Sequence, residues 1–401
     1  VASDAPDELV VVGAGVIGLS IAWRAASEGR AVTVVDPAPG RGATWAAAGM
    51  LAPVSEAHFG EEALVELNLA AAGAWPAFAS ELEEASGQPV HYIADGTLLV
   101  AADPSDRAAT DRLLRFQHGL DLAARRLSAA ECRHAEPLLA ASVCGGAELG
   151  DDHQVDNRAV VLALQAACAA TSVSLVRDEV AGLRIESGRV AGVTLRSGEV
   201  QRARSVVLCA GCRSGEVGGV PDALRPPVRP VKGLTLRLAA GASPRLRRTL
   251  RGLVHGRSCY LVPRADGTLV VGATVEEKGF DMTVQAGAVV ELLDSARRIA
   301  PVVDEYELLE TTIGLRPGSP DNAPLVGETR IPGLLVATGH FRHGILLASL
   351  TAERIAELLP GAAARSDRLH RLFAPFTPDR FTDRDHLSLA TMTAIRPVRT
   401  R

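Results

Sequence analysis

Aromatic side chains are scarce in this chain: Phe, Trp and Tyr make up 3 % of 401 residues, and only three are tyrosine. No run approaches the ~18 consecutive apolar residues of a membrane span. A basic excess is also missing: the net charge is −5, which leaves no electrostatic field for nucleic acid. The arginine group Arg245, Arg247, Arg248 and Arg251 reads as a solvated face among prolines and glycines rather than a phosphate patch. The six cysteines, at positions 132, 144, 168, 209, 212 and 259, form no paired framework, so a disulfide-stapled domain is not expected. Cys209 and Cys212 make a C-x-x-C inside a strand-to-turn signal and read as buried reduced thiols rather than a redox or metal pair. Residues 1–8 are acidic and polar, unlike a secretory signal, and residues 391–401 read as a loose basic tail. A cytoplasmic protein is expected. With 47 % hydrophobic and 22 % charged residues, the chain has the composition of a folded protein of two or three domains.

What is present begins near the C-terminus. A strand-like run over residues 333–338 enters Gly339-His340-Phe341-Arg342-His343-Gly344, and a helix-like run follows over residues 345–358. Backbone N–H groups at a helix start carry partial positive charge. The first turn here has no charged side chain, so an electron-rich group is expected against Gly344, Ile345 and Leu346, with Arg342 beside it.

At the N-terminus, the apolar run 9–12 reads as a buried parallel strand. Gly13-Ala14-Gly15-Val16-Ile17-Gly18 follows, then a helical pattern to Gly29 and a second strand over residues 31–35 ending at Asp36-Pro37. This βαβ unit is a dinucleotide fingerprint. Its glycines allow a tight turn and close approach of a pyrophosphate, and Asp36 is placed for ribose hydroxyls. An acid here disfavours a 2′-phosphate, but the motif does not separate NAD from FAD.

Three later segments do. Small residues from Ala43 and Thr44 through Ala48, Gly49 and Met50 let backbone lie against a flat ligand, where an NAD domain would proceed to its next helix. Short strands over residues 173–176, 180–185, 189–195 and 206–209, the second opening at Val180 and the last leading into Ala210-Gly211, resemble the antiparallel crossover of two-domain FAD oxidoreductases. The Gly339 segment returns the chain to the same sheet. Together these pieces resemble the FAD-dependent amino-acid oxidase superfamily, which includes D-amino-acid, sarcosine and glycine oxidases. The motifs Cys259-Tyr260-Leu261-Val262-Pro263-Arg264, Val271-Gly272-Ala273-Thr274, Gly314-Leu315-Arg316-Pro317-Gly318 and residues 339–347 are most similar to glycine oxidases of the thiamine-pathway type.

That resemblance implies an α/β fold of two domains: a discontinuous Rossmann-like FAD domain (residues 1–85, 150–220 and 325–365) and a mixed-sheet substrate domain (86–149 and 221–324), with a C-terminal extension at 366–401. It implies that Arg316 clamps the substrate carboxylate, that Tyr260 adds a hydrogen bond to it, and that Arg342 contacts substrate or the flavin edge. Guanidinium suits this task because it grips a carboxylate through two parallel hydrogen bonds. His340, Phe341 and His343 are expected beside the cofactor; no acidic partner is evident for either histidine, so neither is assigned as a base. Val275 stands where some relatives have a methionine lining the pocket. Residues 308–338 hold no cysteine, so FAD is expected to be non-covalent. The implied substrates are glycine or a similar small amino acid and molecular oxygen, in a homotetramer. An NAD-dependent dehydrogenase and a sarcosine or D-amino-acid oxidase are the alternatives.

Overall fold

Alternate residues of the first strand, Leu9–Val12, point to two different cores, and that alternation organises half of the molecule. In the computed structural model, which describes residues 9–362 and 366–381, Leu9 and Val11 join a helical core. Val10 and Val12 join a second core beneath the antiparallel crossover. The strand therefore has no polar face and is apolar throughout, as a central parallel strand must be.

It lies inside a six-stranded sheet ordered Leu325–Glu328, Leu334–Thr338, Ser205–Leu208, Leu9–Val12, Val32–Val35, Val173–Val176. All pairings are parallel except the first, which is antiparallel. Helices Val16–Ser27, Glu62–Ser86, Asn157–Ala169 and Ala348–Leu358 contribute to the core on one face. The strands Val180–Glu186, Arg189–Leu195 and Val200–Arg202 form a separate antiparallel sheet over the other. Residues 173–176, expected in this crossover, instead extend the parallel sheet beside Val32–Val35; the third crossover strand is Val200–Arg202, too short and polar for its pattern to show.

An eight-stranded sheet makes the second half, ordered Glu307–Gly318, Arg229–Ala239, Thr268–Gly272, Arg257–Pro263, Thr249–Val254, Thr97–Ala101, Gly146–Leu149, Ala124–Leu127. Its period-2 alternation again assigns faces. Leu261, Leu269 and Val271 pack towards helix Ala286–Ile299. Val262 and Val270, with Tyr260, face Ala48 and Met50 of the opposite half. Gly252 lets the helix close on the sheet, because a Cβ there would stand 2.4 Å from Ile299 Cδ1. The fold is thus α/β, with a Rossmann-like sheet and a mixed sheet, and Ala48 and Met50 meet the latter at Val262 and Val270. Among the described residues no helix is long and apolar enough to cross a membrane. The expectations for residues 1–8 and 391–401 lie outside the described residues.

Candidate active site

The N-terminal motif closes as its glycines require. A Cβ on Gly13 would stand 2.5 Å from the carbonyl oxygen of Cys209, and one on Gly18 would stand 1.9 Å from that of Gly13. Gly13 also holds φ at +105°, a conformation open to glycine. Helix Val16–Ser27 has no side-chain cap of its own, but Thr44 Oγ1 accepts the Val16 N–H at 3.1 Å from 28 positions away. The Gly15 and Ile17 N–H groups donate to no protein acceptor among the described residues. Asp36 is already engaged: its carboxylate accepts the N–H groups of Ala14 and Ala38, both at 2.7 Å. Each carboxylate oxygen has more than one lone-pair site, so ribose hydroxyls still have acceptors there. Ala14 and Gly18, expected at the cofactor, do not line the cavity; Gly18 lies behind the Gly13 carbonyl and Ala14 is buried.

The C-terminal segment corrects one expectation. The helix begins at Ala348, not at Ile345. Residues 344–347 form turns, because the Leu347 N–H donates to the His343 carbonyl at 2.8 Å and the Ala348 N–H to that of Ile345 at 3.2 Å. Gly344, Ile345 and Leu346 therefore present three consecutive N–H groups with no acceptor among the described residues, all on the cavity wall. The expected electron-rich neighbour keeps its donors, supplied by a turn rather than a helix start. The segment is tied to the second sheet: Gly318 and His340 form a β-bridge, and the Phe341 N–H donates to the Pro317 carbonyl at 3.0 Å.

Two glycines of the second sheet carry two of the three expected substrate-binding side chains. Arg316 pairs in register with Val231, and its guanidinium lies over Gly233, where an added Cβ would meet Nη1 at 2.2 Å. Its Nη1 donates to the Thr274 carbonyl at 3.2 Å. Tyr260 pairs with Gly272 and lies across it, with the hydroxyl 2.3 Å from where a Cβ would be. Burial raises the pKa of Tyr260, and the nearby Arg316 and Arg251 charges oppose that rise. The phenol is neutral and able to donate.

Arg342 sits differently from Arg316. Its Nε is 3.0 Å from Glu56 Oε2 and its Nη2 is 3.6 Å from Glu61. Glu56 also pairs with Arg251, on the strand next to Tyr260. Burial opposes its ionisation, but the Arg251 and Arg342 charges and His58 hold its pKa well below the ordinary value. This Arg251–Glu56–Arg342 group lines the cavity; Arg251, expected on a solvated face, is buried there instead, because the charge of Glu56 meets it from a distant part of the chain. At the Tyr260 end, that leaves Arg316 as the cation without an acidic partner among the described residues. His340 and His343 are buried, and burial lowers their pKa values to about 3 and about 4. Both are neutral imidazoles at physiological pH. His340 Nε2 meets Thr351 Oγ1 at 3.1 Å, and Asn68 Nδ2 donates to His343 Nδ1 at 3.3 Å.

These groups surround one cavity of about 1020 Å³ between the two sheets. That is at the top of the ~300–1,000 Å³ range of ligand sites. Apart from Ala14 and Gly18, every residue expected at the site lines it. Val275 does so at the rim, 68 % exposed, together with Phe280 and Met282. The volume of the cavity, the free N–H groups of Gly15, Ile17, Gly344, Ile345 and Leu346 and its glycine-rich lining fit a dinucleotide carrying a fused ring. Residues 8–358 match the family described as FAD dependent oxidoreductase (DAO).

The chain belongs to the FAD-dependent oxidoreductase family.

Glycine oxidase of Geobacillus kaustophilus is 32 % identical over 378 residues, covering 93 % of this chain and 97 % of that protein. The crystal structure of glycine oxidase from Geobacillus kaustophilus superposes with a TM-score of 0.84 at 31 % identity, covering 93 % of this chain and 99 % of the other. The bifunctional protein ThiO/ThiG of a Nostoc species is 35 % identical over 355 residues, 88 % of this chain. The chain spans about half the length of such bifunctional relatives, 52 % in that case. Membership of the family decides between FAD and NAD in favour of FAD.

Proposed function

We propose that the chain is a glycine oxidase. It would remove a hydride from Cα of glycine, or of a comparably small amino acid. The resulting imine hydrolyses to glyoxylate and ammonia, and oxygen is reduced to hydrogen peroxide. The observation that carries this reading is Arg316, a cavity-lining cation held over Gly233 with no acid beside it among the described residues. A site that supplies a half-buried guanidinium and a neutral tyrosine hydroxyl is matched to one carboxylate. The similarity to glycine oxidases supports the choice of substrate class.

FAD, when bound, supplies the hydride acceptor. The chain's own groups do the rest. Gly15, Ile17 and Thr44 shape the diphosphate end, and Asp36 offers acceptors to ribose. The free N–H groups of Gly344, Ile345 and Leu346 stabilise negative charge where the ring lies. Arg316 and Tyr260 orient the carboxylate. We take the cofactor to be non-covalent: the cavity thiols Cys209 and Cys212 are raised in pKa by burial, which makes them poor nucleophiles. The proposal extends to the division into FAD and substrate domains at the boundaries given above, to a cytoplasmic homotetramer, and to a role in thiazole formation, which the ThiO names of relatives support.

A second reading is an oxidase for sarcosine or D-alanine, favoured by the open rim at Val275. A peroxide assay across glycine, sarcosine, D-alanine and D-proline on flavin-loaded protein separates the two. Highest kcat/KM with glycine is expected; no peroxide with any of the four rejects both.

A further inference from the structure

Oxidation of an amino acid releases a proton that none of the groups named so far removes. In neutral water the amino group is an ammonium ion, and a hydride leaves Cα only when the nitrogen lone pair is free. One proton must therefore leave the cavity in each turnover. Among the described residues four acids line the cavity: Asp36, Glu179, Glu216 and Glu56. Asp36 and Glu179 adjoin the nucleotide-binding segments, and Glu216 pairs with Arg213. Glu56 alone stands with Tyr260, Arg251 and Arg342.

The surroundings of Glu56 point outwards. One carboxylate oxygen meets Arg251; the other, Oε2, lies 3.0 Å from Arg342 Nε and 3.7 Å from His58 Nε2. Glu56 Oε2 and His58 Nε2 are both buried, and neither makes a hydrogen bond. The His58 ring itself is half in water, with 45 % of its side chain exposed. A buried carboxylate thus lies 3.7 Å from an imidazole that itself reaches solvent. The other groups facing Glu56 do not offer this path. Arg251 and Arg342 cannot accept a proton. His343 accepts from Asn68 at Nδ1, so its Nε2 carries hydrogen. Glu61 lies behind Arg342, and Asp152 behind Arg251, where it holds the Val54 and Ser55 N–H groups.

We propose that Glu56 and His58 carry the substrate's ammonium proton out of the cavity, an inference that rests on the amino-acid oxidase reading. The N–H bond breaks with its electron pair kept by nitrogen. The proton passes to the Glu56 carboxylate, then to His58 Nε2; a proton leaves the other ring nitrogen to water, and exchange of the half-exposed ring with water returns the tautomer with Nε2 free. Glu56 is regenerated as the anion and no electrons move. The two arginines keep Glu56 deprotonated at rest, so a proton that reaches it does not stay.

Anaerobic stopped-flow reduction of the flavin at saturating glycine, from about pH 6 to about pH 10, tests this. Reduction of the wild-type flavin tests the oxidase reading first; if no small amino acid reduces it, that reading fails before the relay is at issue. His58→Asn leaves both arginine contacts of Glu56 in place. Its limiting rate should fall about tenfold near pH 7, with the deficit closing as pH rises and substrate arrives as the free amine. Added imidazole should restore the rate near pH 7. Glu56→Gln should show a larger deficit that closes in the same direction. A His58→Asn rate equal to wild type near pH 7, or a deficit constant across the range and unmoved by imidazole, overturns the relay.

Discussion

The guanidinium of Arg316 fills the space that a side chain on Gly233 would need. The clamp and its floor are therefore one unit, although the two residues come from different strands. Gly233→Ala should displace the guanidinium while leaving the strand pairing of Arg229–Ala239 intact. The expected result is a raised KM for glycine with little change in thermal stability, read from steady-state kinetics and a melting curve.

Arg316→Ala removes one partner of a charge pair with the substrate, which costs about 2–5 kcal/mol. A drop in kcat/KM of at least about thirtyfold is expected from the lower bound, since 1.36 kcal/mol is tenfold. Arg316→Lys should recover only part, because an ammonium cannot make the paired contact.

Arg342→Ala should act on stability before substrate affinity. It would remove one of the two arginines that hold Glu56 ionised in a buried position. Breaking a buried pair typically costs about 3–5 kcal/mol. The contrast with Arg316→Ala is measured by comparing Tm and KM for the two variants. Equal losses of Tm would show that Arg342 is no more structural than Arg316.

Acid should weaken the fold through His340 and His343. Their folded pKa values, about 3 and about 4, lie below the ordinary 6.5, so the unfolded chain binds more protons in that interval. Stability is then lost as pH falls from about 6.5 towards about 4. Asp152 has the opposite sign: burial raises it to about 6, so the folded state binds the extra proton between its ordinary value and about 6. Denaturant titrations near pH 7 and near pH 5 should show lower stability at the acid value. His343→Gln should flatten that difference, and Asp152→Asn should steepen it.

Cofactor retention should depend on Thr44. Thr44→Val removes the oxygen that accepts the Val16 N–H, an effect of the size of a lost helix cap, ~1 kcal/mol. A roughly fivefold rise in the flavin dissociation constant is expected, followed by the fluorescence of released flavin.

Some of this was legible because local chemistry wrote it. Gly18 is required by the Gly13 carbonyl within the same turn, so that part of the fingerprint carries its meaning in adjacent residues; Gly13 answers to the Cys209 carbonyl, which no local pattern shows. Tyr260 and Arg316 sat in motifs whose strand context was plain. The helix start was misplaced by three residues because Ile345, Leu346 and Leu347 continue an apolar pattern. The turn that holds them depends on the His343 carbonyl, which a pattern does not show. Glu56 and His58 were invisible for a different reason. Glu56 gains its role from Arg251, 195 positions away, and no spacing rule links them.

The central strands of the first sheet are residues 9–12, 205–208 and 334–338, drawn from three distant parts of the chain. A ribosome completes the nucleotide fingerprint at Asp36, yet the strand Leu334–Thr338 and the Gly344–Leu346 donors are made much later. Until then Ser205–Leu208 lacks its outer neighbour, and the core that holds Leu9 and Val11 lacks Leu346 and Leu350. Loading of the cofactor is thus a late event in biosynthesis, and a chain that stops before Leu347 should remain apoprotein however much flavin surrounds it.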